Sequence, residues 1–431
     1  MSESPEPATF KVDRPPPRRP MHIRSIPYVA LLSAFPLALA AQQPRAFPAP
    51  DKTFEEPFSQ VGALRELSNG RVLIADMRDK VLALVDLAAE TSTKIGREGS
   101  GPAEYGMPMR LLTAPSDTTL LFDPLNQRYL VIAPDGKPTS TFRVETAAPA
   151  GRGDGPRLQV GLTMPRAADA RGRLYFESPG FSQGPDGEPR AADSAAITRY
   201  DRASKKMDTL TWVKLPKNNA QVSGGGGNVR MMIGGSNPLT ARDEWAVFPD
   251  GRVAVVRAAD YHVDWIMPNG TRQSSPAIKY TPVRVTDADK RDEEALRNKS
   301  RQNQMMMTRE VGPNGVRNNV QMGPGPNAPP LEALTDWPAT KPPFRQGQAS
   351  VWARPNGDLW VRRLEPAGAK GTLYDVINAQ GTVAFQVRIA DGNTLVGFGN
   401  GTIYTTKADE DDLLYLQRHR DTERRLIGLA R

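Results

Sequence analysis

The chain predicts an all-β protein in which one small sheet is copied six times around an axis, and three observations predict it. First, a turn pair followed by a run of β-formers recurs: Asn69-Gly70 ahead of 72–76, Asp117-Thr118 ahead of 119–123, and Arg171-Gly172 ahead of 174–177. It returns as Asp250-Gly251 ahead of 253–257, Asn356-Gly357 ahead of 359–363 and Asn400-Gly401 ahead of 402–407. Second, each run is followed after a short gap by another, at 81–86, 129–133, 196–200, 261–267, 373–378 and 413–417. Third, Gly and Pro together number 77 while apolar residues are 39%, a composition that suits turn-rich β structure. A lone small sheet cannot bury its own faces, so repeated sheets must pack on one another. The prediction is therefore a six-bladed β-propeller of four-stranded antiparallel blades.

The chain before the first copy divides in two. From Met21, a basic start with His22 and Arg24 precedes an apolar run over 26–39, and Ala38-Leu39-Ala40 offers a small-residue cleavage site. Pro27 and Pro36 interrupt that run, which is shorter than the roughly 20 residues a spanning helix needs, so a leader over 1–40, cleaved near Ala40, is expected rather than a permanent anchor. Translation from Met1 and from Met21 both fit. The expected destination is secreted or periplasmic. Residues 41–53 read as a linker and 54–431 as the propeller, with a strand near 54–58 completing the last blade.

Within each copy the motif strand is the second of four. A turn such as Pro134-Asp135-Gly136-Lys137 or Pro268-Asn269-Gly270-Thr271 hands on to the outer strand, and runs such as 245–248 and 350–353 supply the inner one. Successive copies lie 47, 55, 79, 106 and 44 residues apart, so the two long spacings hold insertions, at 217–239 and 287–344. The first contains Gly224 to Gly227. The second begins with Thr286-Asp287-Ala288-Asp289, a helix cap, and predicts a charged helix to about Val311 that ends near Met305-Met306-Met307. With strands A to D antiparallel, the D-to-A links and the B-to-C turns emerge on one face. Both insertions are D-to-A links and the long 179–194 segment is a B-to-C turn, so all three should crowd one mouth of the axial channel.

The charge and residue inventory removes several classes. No cysteine is present, which excludes disulfides and thiolate metal sites. Loss of 1–40, with five Lys/Arg and three Asp/Glu, lowers the formal charge from +8 to +6. With no Lys/Arg-rich run, a nucleic-acid partner is not expected. Beyond the leader only His262 and His419 remain, so a multi-histidine metal centre is impossible and a Ser-His-Asp triad would have to use one of them.

Residues 96–105, Gly-Arg-Glu-Gly-Ser-Gly-Pro-Ala-Glu-Tyr, together with the 72–76 strand and the Asp123-Pro124-Leu125-Asn126-Gln127-Arg128 turn, resemble NHL-type six-bladed β-propellers. The match is good in blades one and two and fades afterwards. Across all six copies the likeness is to exported bacterial six-bladed propellers, a group that includes binding modules, a few lyases and lactone hydrolases.

The glycine-rich 96–101 stretch is not a phosphate cradle, because Pro102 removes a backbone N–H and no Gly-Lys-Ser/Thr follows; a structural interblade loop is expected. The resemblance to lactone-hydrolysing propellers raises calcium bound by oxygen ligands, with Asp76 and Asp123 as candidates, against the ordinary role of such carboxylates in accepting N–H bonds within their own turns. The position six residues past each turn marker reads Asp76, Asp123, Ser178, Arg257, Arg363 and Lys407, half acidic or polar and half basic. Asp76, Asp123, Arg257 and Arg363 are thus the candidate ligand-binding residues, suited to an anionic or zwitterionic ligand. The functional expectation is an exported module that binds a protein or small molecule at its decorated face, with no catalytic residues, metal or cofactor of its own. A divalent-metal-dependent propeller lactonase or lyase is the alternative.

Overall fold

Alternation at period two decides how the blades pack. In 72–76 every residue is buried: Val72 and Ile74 face one neighbouring blade, with Tyr404 and Leu416, while Leu73 and Ala75 face the other, with Leu121 and Leu130. The same logic repeats around the ring. Six apolar clusters form, one at each interblade contact.

The computed structural model describes residues 43–144, 164–183, 189–216, 221–223, 230–232, 237–302, 305–312, 315–323, 330–331, 333–347 and 349–421. The leader 1–40 and the Gly224–Gly227 run lie outside them. Blade one comprises Val61–Glu66, Val72–Asp76, Val81–Asp86 and Thr91–Lys94. Blade two comprises Arg110–Thr113, Thr119–Asp123, Arg128–Ile132 and Pro138–Phe142. Blade three is Pro165–Ala168, Leu174–Gln183, Pro189–Asp201 and Lys206–Lys214, and blade four is Glu244–Val247, Val253–Arg257, His262–Ile266 and Arg272–Ser274. Blade five runs Val351–Ala353, Leu359–Arg362, Thr372–Ile377 and Val383–Ile389, and blade six runs Asn393–Phe398, Thr402–Ala408 and Leu414–Arg420. All pairings within these blades are antiparallel in sequence order.

The ring is closed by the start of the chain. Lys52–Thr53 pairs antiparallel with Leu414–Arg420 as the outer strand of blade six, and Phe54 and Phe58 N–H groups continue the ladder to Leu416 and Leu414 carbonyls at 2.8 and 2.9 Å. The closing strand expected near 54–58 thus begins slightly earlier. The described part of the expected 41–53 linker, residues 43–53, is correspondingly more than a linker, because Arg45–Ala46 also adds a parallel fifth strand to blade five. An exposed outer edge with free N–H and C=O groups attracts such a segment.

The 287–344 insertion differs from expectation in two ways. Its helix, Asp287–Gln302, stops short of Val311, and Met305–Gly312 instead pairs with Gly315–Met322 as a hairpin; Met305 to Met307 therefore sit on a strand. The helix start is as read: Thr286 Oγ1 accepts the Asp289 N–H at 3.3 Å, and Asp289 Oδ2 accepts the Thr286 N–H at 2.8 Å, a capping box. The second difference is Phe344, fully buried between blades four and five beside Tyr261, so the last residue assigned to the insertion belongs to the propeller core.

Candidate functional site

Strand parity places both insertions and the blade-three hairpin on one face, and hydrogen bonds connect that face. Asn237, at the end of the first insertion, donates from Nδ2 to the Asp336 carbonyl of the second at 3.0 Å. Lys299 of the helix reaches Asp412, in the B-to-C turn of blade six, at 3.2 Å. The stem of the second insertion is zipped by Val285 N–H to Ala339 and Lys341 N–H to Val283, at 3.1 and 2.8 Å.

The helix docks by charge. Asp289 and Glu293, one turn apart on one helix face, are both buried. Lys341 Nζ meets Asp289 Oδ1 at 2.5 Å, and Arg345 grips Glu293 bidentately, with Nη2 at 2.8 Å from Oε2. Burial raises the Asp289 pKa, but bonds from Lys341 and Thr286 outweigh it and leave the carboxyl below the usual range. The apolar Leu296 is left exposed.

Three of the four candidate ligand residues tether the link entering their blade, and the fourth, Arg363, is engaged by its own and the preceding blade. Asp76 accepts N–H bonds from Ser59 and Gln60 at 2.8 and 3.1 Å, and from Arg78 and Asp79 at 3.0 and 3.1 Å. Asp123, fully buried, accepts from Gly106 and Met107 at 2.9 and 3.1 Å and from Asn126 Nδ2 at 2.6 Å. In both blades the carboxylate at the end of strand B catches the link entering strand A. Blade four inverts the polarity: Arg257 Nη1 reaches Asp243 of the incoming link at 2.8 Å and its Nε reaches Asp264 at 2.7 Å. In blade five Arg363 pairs with buried Asp375 at 2.8 Å, which also accepts the Tyr261 hydroxyl at 2.5 Å and Gln386 Nε2 at 2.7 Å. The Arg363 guanidinium lies over the Tyr261 and Tyr280 rings. The acid–base split read from the sequence is thus a swap of tether chemistry between blades, and each of the four is engaged within or beside its own blade. Ser178 is half-buried on strand B of blade three, and Lys407 lines a cleft of about 710 Å³ beneath residues 43–50.

The glycine-rich link has the structural part expected of it. Asn126 Nδ2 donates to the Gly99 carbonyl at 2.8 Å, and Arg128 Nη2 donates to the Gly101 and Glu104 carbonyls at 2.7 and 2.9 Å. Buried Tyr105 accepts the Leu82 N–H at 2.9 Å.

What the sequence did not single out is a guanidinium cluster where the inner strands of blades two, three and four begin. Arg166 pairs with Glu177 and Glu244 at 2.9 and 2.6 Å. Arg242 pairs with Glu177, and its Nε lies 3.3 Å from Glu244 Oε1. Trp245 Nε1 donates to Glu177 at 2.7 Å, and the Gly347 N–H donates to Glu244 at 2.7 Å. Burial raises the Glu177 pKa, yet the Arg242 and Arg166 charges, with the Trp245 bond, hold the carboxyl below its ordinary value. Half-buried Arg110 stands beside Arg166, and its guanidinium makes no hydrogen bond or ion pair with any described residue. These residues escape sequence reading because they come from three blades and follow no motif. One weak signal existed: Arg110 and Arg166 each stand at or next to the start of an inner strand.

Neither histidine meets a set of further ligands. His262 lies between Asp260 and Asp264, at 2.6 and 3.2 Å. His419 is buried, with Nδ1 2.8 Å from the Pro48 carbonyl and Nε2 2.8 Å from Thr405 Oγ1. Among the described residues no three His, Cys, Asp or Glu side chains converge as a metal site, and no helix is long and apolar enough to cross a membrane.

No family model matches the chain, and no curated protein matches it. Among solved structures it is similar to a member of the DUF4221 family from Bacteroides vulgatus, at 10% identity over 87% of this chain and 98% of that one, TM-score 0.45. It is also similar to a gluconolactonase from Xanthomonas campestris, at 10% identity over 89% and 93%, TM-score 0.36. A third likeness is to the calcium-binding protein regucalcin from Agrobacterium tumefaciens, at 11% identity over 86% and 94%, TM-score 0.34. None of these likenesses carries a residue role or a ligand to this chain.

Proposed function

We propose that this protein is an exported, NHL-like propeller that binds a protein or small molecule at its decorated face and performs no catalysis itself. The observation that carries the reading is the Asn237–Asp336 bond: two insertions from different interblade links meet over the same side of the ring. Extra chain collected on one side of a rigid scaffold is the usual construction of a binding surface. Export is supported by the leader-like pattern of residues 21–40.

The test replaces 287–338 by a short Gly/Ser linker. This deletion spares buried Phe344 and uses stem residues that Val285 and Ala339 already hold together. The expected result is loss of partner capture from the envelope of the producing organism, with the melting transition of the propeller retained. Undiminished capture by the deleted protein would refute the insertion as a binding element. A parallel calcium titration sharpens the result, since an ion bound by the native state must raise the melting temperature. A calcium-dependent rise would favour the metal-dependent enzyme instead.

A further inference from the structure

We propose an oxyanion-binding site at Arg110, at the decorated mouth of the axial channel, that takes a carboxylate or phosphate group of the ligand. The proposal rests on the binding reading above and moves its anion site from Arg257 and Arg363 to a different set of residues.

Arg110 opens the inner strand of blade two, pairing with Phe122, and so stands at the end of the channel where the interblade links enter. Its surroundings are of the wrong sign for a structural arginine. The charge that acts on it is that of another guanidinium, Arg166, and the two carboxylates of the cluster, Glu177 and Glu244, are already shared between Arg166 and Arg242. Among the described residues of the cluster, three guanidiniums against two carboxylates leave one positive charge uncompensated, and Arg110 carries it.

Other described arginines also keep one buried guanidinium nitrogen without a hydrogen-bond acceptor, namely Nε of Arg128, Arg199, Arg242 and Arg363 and Nη2 of Arg173. Each of those is held elsewhere on its guanidinium: Arg128 by backbone carbonyls, Arg173 by Asp169, Arg199 by Asp208, Arg242 by Glu177 and Arg363 by Asp375. Arg110 combines the buried orphan Nε with no partner among the described residues at any guanidinium nitrogen. Arginine does not shed its proton to escape such a site, so the charge persists. An unpaired, partly desolvated charge beside a like charge is destabilising, and a bound anion removes that cost.

A second orphan donor lies in the link entering blade five. Gln346 Nε2 is buried without an acceptor, next to Gly347, whose N–H holds Glu244. A guanidinium offers donors only, so Arg110 calls for a ligand rich in acceptor oxygens. The planar guanidinium of Arg110 selects a carboxylate or phosphate, the groups it binds bidentately.

The experiment measures melting temperature for wild type, Arg110→Met and Arg110→Lys in anion-poor buffer, then with citrate or inorganic phosphate added at matched ionic strength. In anion-poor buffer Arg110→Met should melt above wild type, by about 1–3 °C, because the uncompensated charge is gone. Added citrate or phosphate should raise the wild-type melting temperature, raise that of Arg110→Lys less, and leave Arg110→Met unmoved. The arm that shifts wild type at the lower concentration identifies the carboxylate or the phosphate as the preferred group. Equal shifts in wild type and Arg110→Met, or no shift in wild type with either probe, would overturn the proposal. Should Arg110→Met fail to fold, the reduced response of Arg110→Lys decides the matter. If the anion response depends on Arg110 while the insertion-deleted protein still captures its partner, the broader binding reading fails and this site stands. The reverse pattern sinks this site alone.

Discussion

The two faces of the ring handle charge in opposite ways. On the face of the A-to-B turns, charged groups close on each other within a few residues or across one interblade step. Asp169, fully buried, accepts bonds from the Arg171 and Arg173 N–H groups at 3.0 Å each, from Arg173 Nε at 2.6 Å and from the Tyr175 hydroxyl at 2.9 Å. Gly251 of the next blade must sit against this cluster: its φ is +90°, and a Cβ there would fall 3.0 Å from Asp169 Oδ2. Arg65 clamps Asp117 at 2.7 Å, Tyr404 donates to Glu66 at 2.6 Å, and Arg354 pairs with Asp421. Arg173 and Arg199 on this face each keep one unmet nitrogen but are paired elsewhere on the guanidinium, whereas on the decorated face, beside the complete tethers at Asp76, Asp123 and Arg257, Arg110 has no partner among the described residues and Gln346 Nε2 is unmet. One face is committed to closing the ring. The other holds polar capacity in reserve, which is where a ligand gains most from binding.

The largest effect should come from breaking the closed face. Asp169→Ala strands two backbone N–H groups, a guanidinium and a tyrosine hydroxyl, and should cost about 3–5 kcal/mol in denaturant unfolding. The response to citrate or phosphate, scaled to the folded fraction, should stay intact; its loss would show that the two faces are not independent.

A change of similar kind on the decorated face should stay local. Lys341→Met leaves Asp289 buried and unpaired, and removes a donor to the Glu365 carbonyl. Amide exchange within the helix should accelerate roughly 10²-fold, corresponding to about 3 kcal/mol, while the strands of blades one to three keep their protection. Exchange that accelerates equally everywhere would make the insertion part of the core rather than an attachment to it.

The smallest expected effect is on pH. Burial lowers the His419 pKa, against weaker pulls upward from the Pro48 and Ala49 backbone and the Asp51 carboxylate. The neutral ring is the form that fits, donating to the Pro48 carbonyl and accepting from Thr405. A depressed histidine pKa gives stability that is complete above the unfolded value of about 6.5 and is lost as pH falls toward the folded value. Between pH 7.5 and 5.5 the wild type should therefore lose more melting temperature than His419→Gln, with the difference confined to the strap of residues 43–50. Asp51, itself held by Arg418 and Arg420 at 2.8 and 3.0 Å, stays ionised through that range.

Much of the ring was legible because each blade is encoded locally. Turn pairs, alternating β-formers and the parity of four antiparallel strands place the six blades and the side from which the insertions leave. The helix end was misplaced because a charged run such as 287–302 and the 305–312 segment beyond it differ little in hydrophobic pattern, and only pairing with 315–322 separates them. Residues 41–53 carried no strong strand signal, and their strands exist because blades five and six offer open edges.

The sequence by itself determined the blade count, the order of strands and the common side of the long excursions, since these follow from periodicity and chain direction. Only the tertiary structure decided what the candidate residues do. Whether Asp123 holds a link or faces a ligand, and whether Arg110 has a counter-charge, depends on groups tens of residues away that meet across blades. Electrostatic balance is a property of distance in space, and spacing along the chain does not carry it.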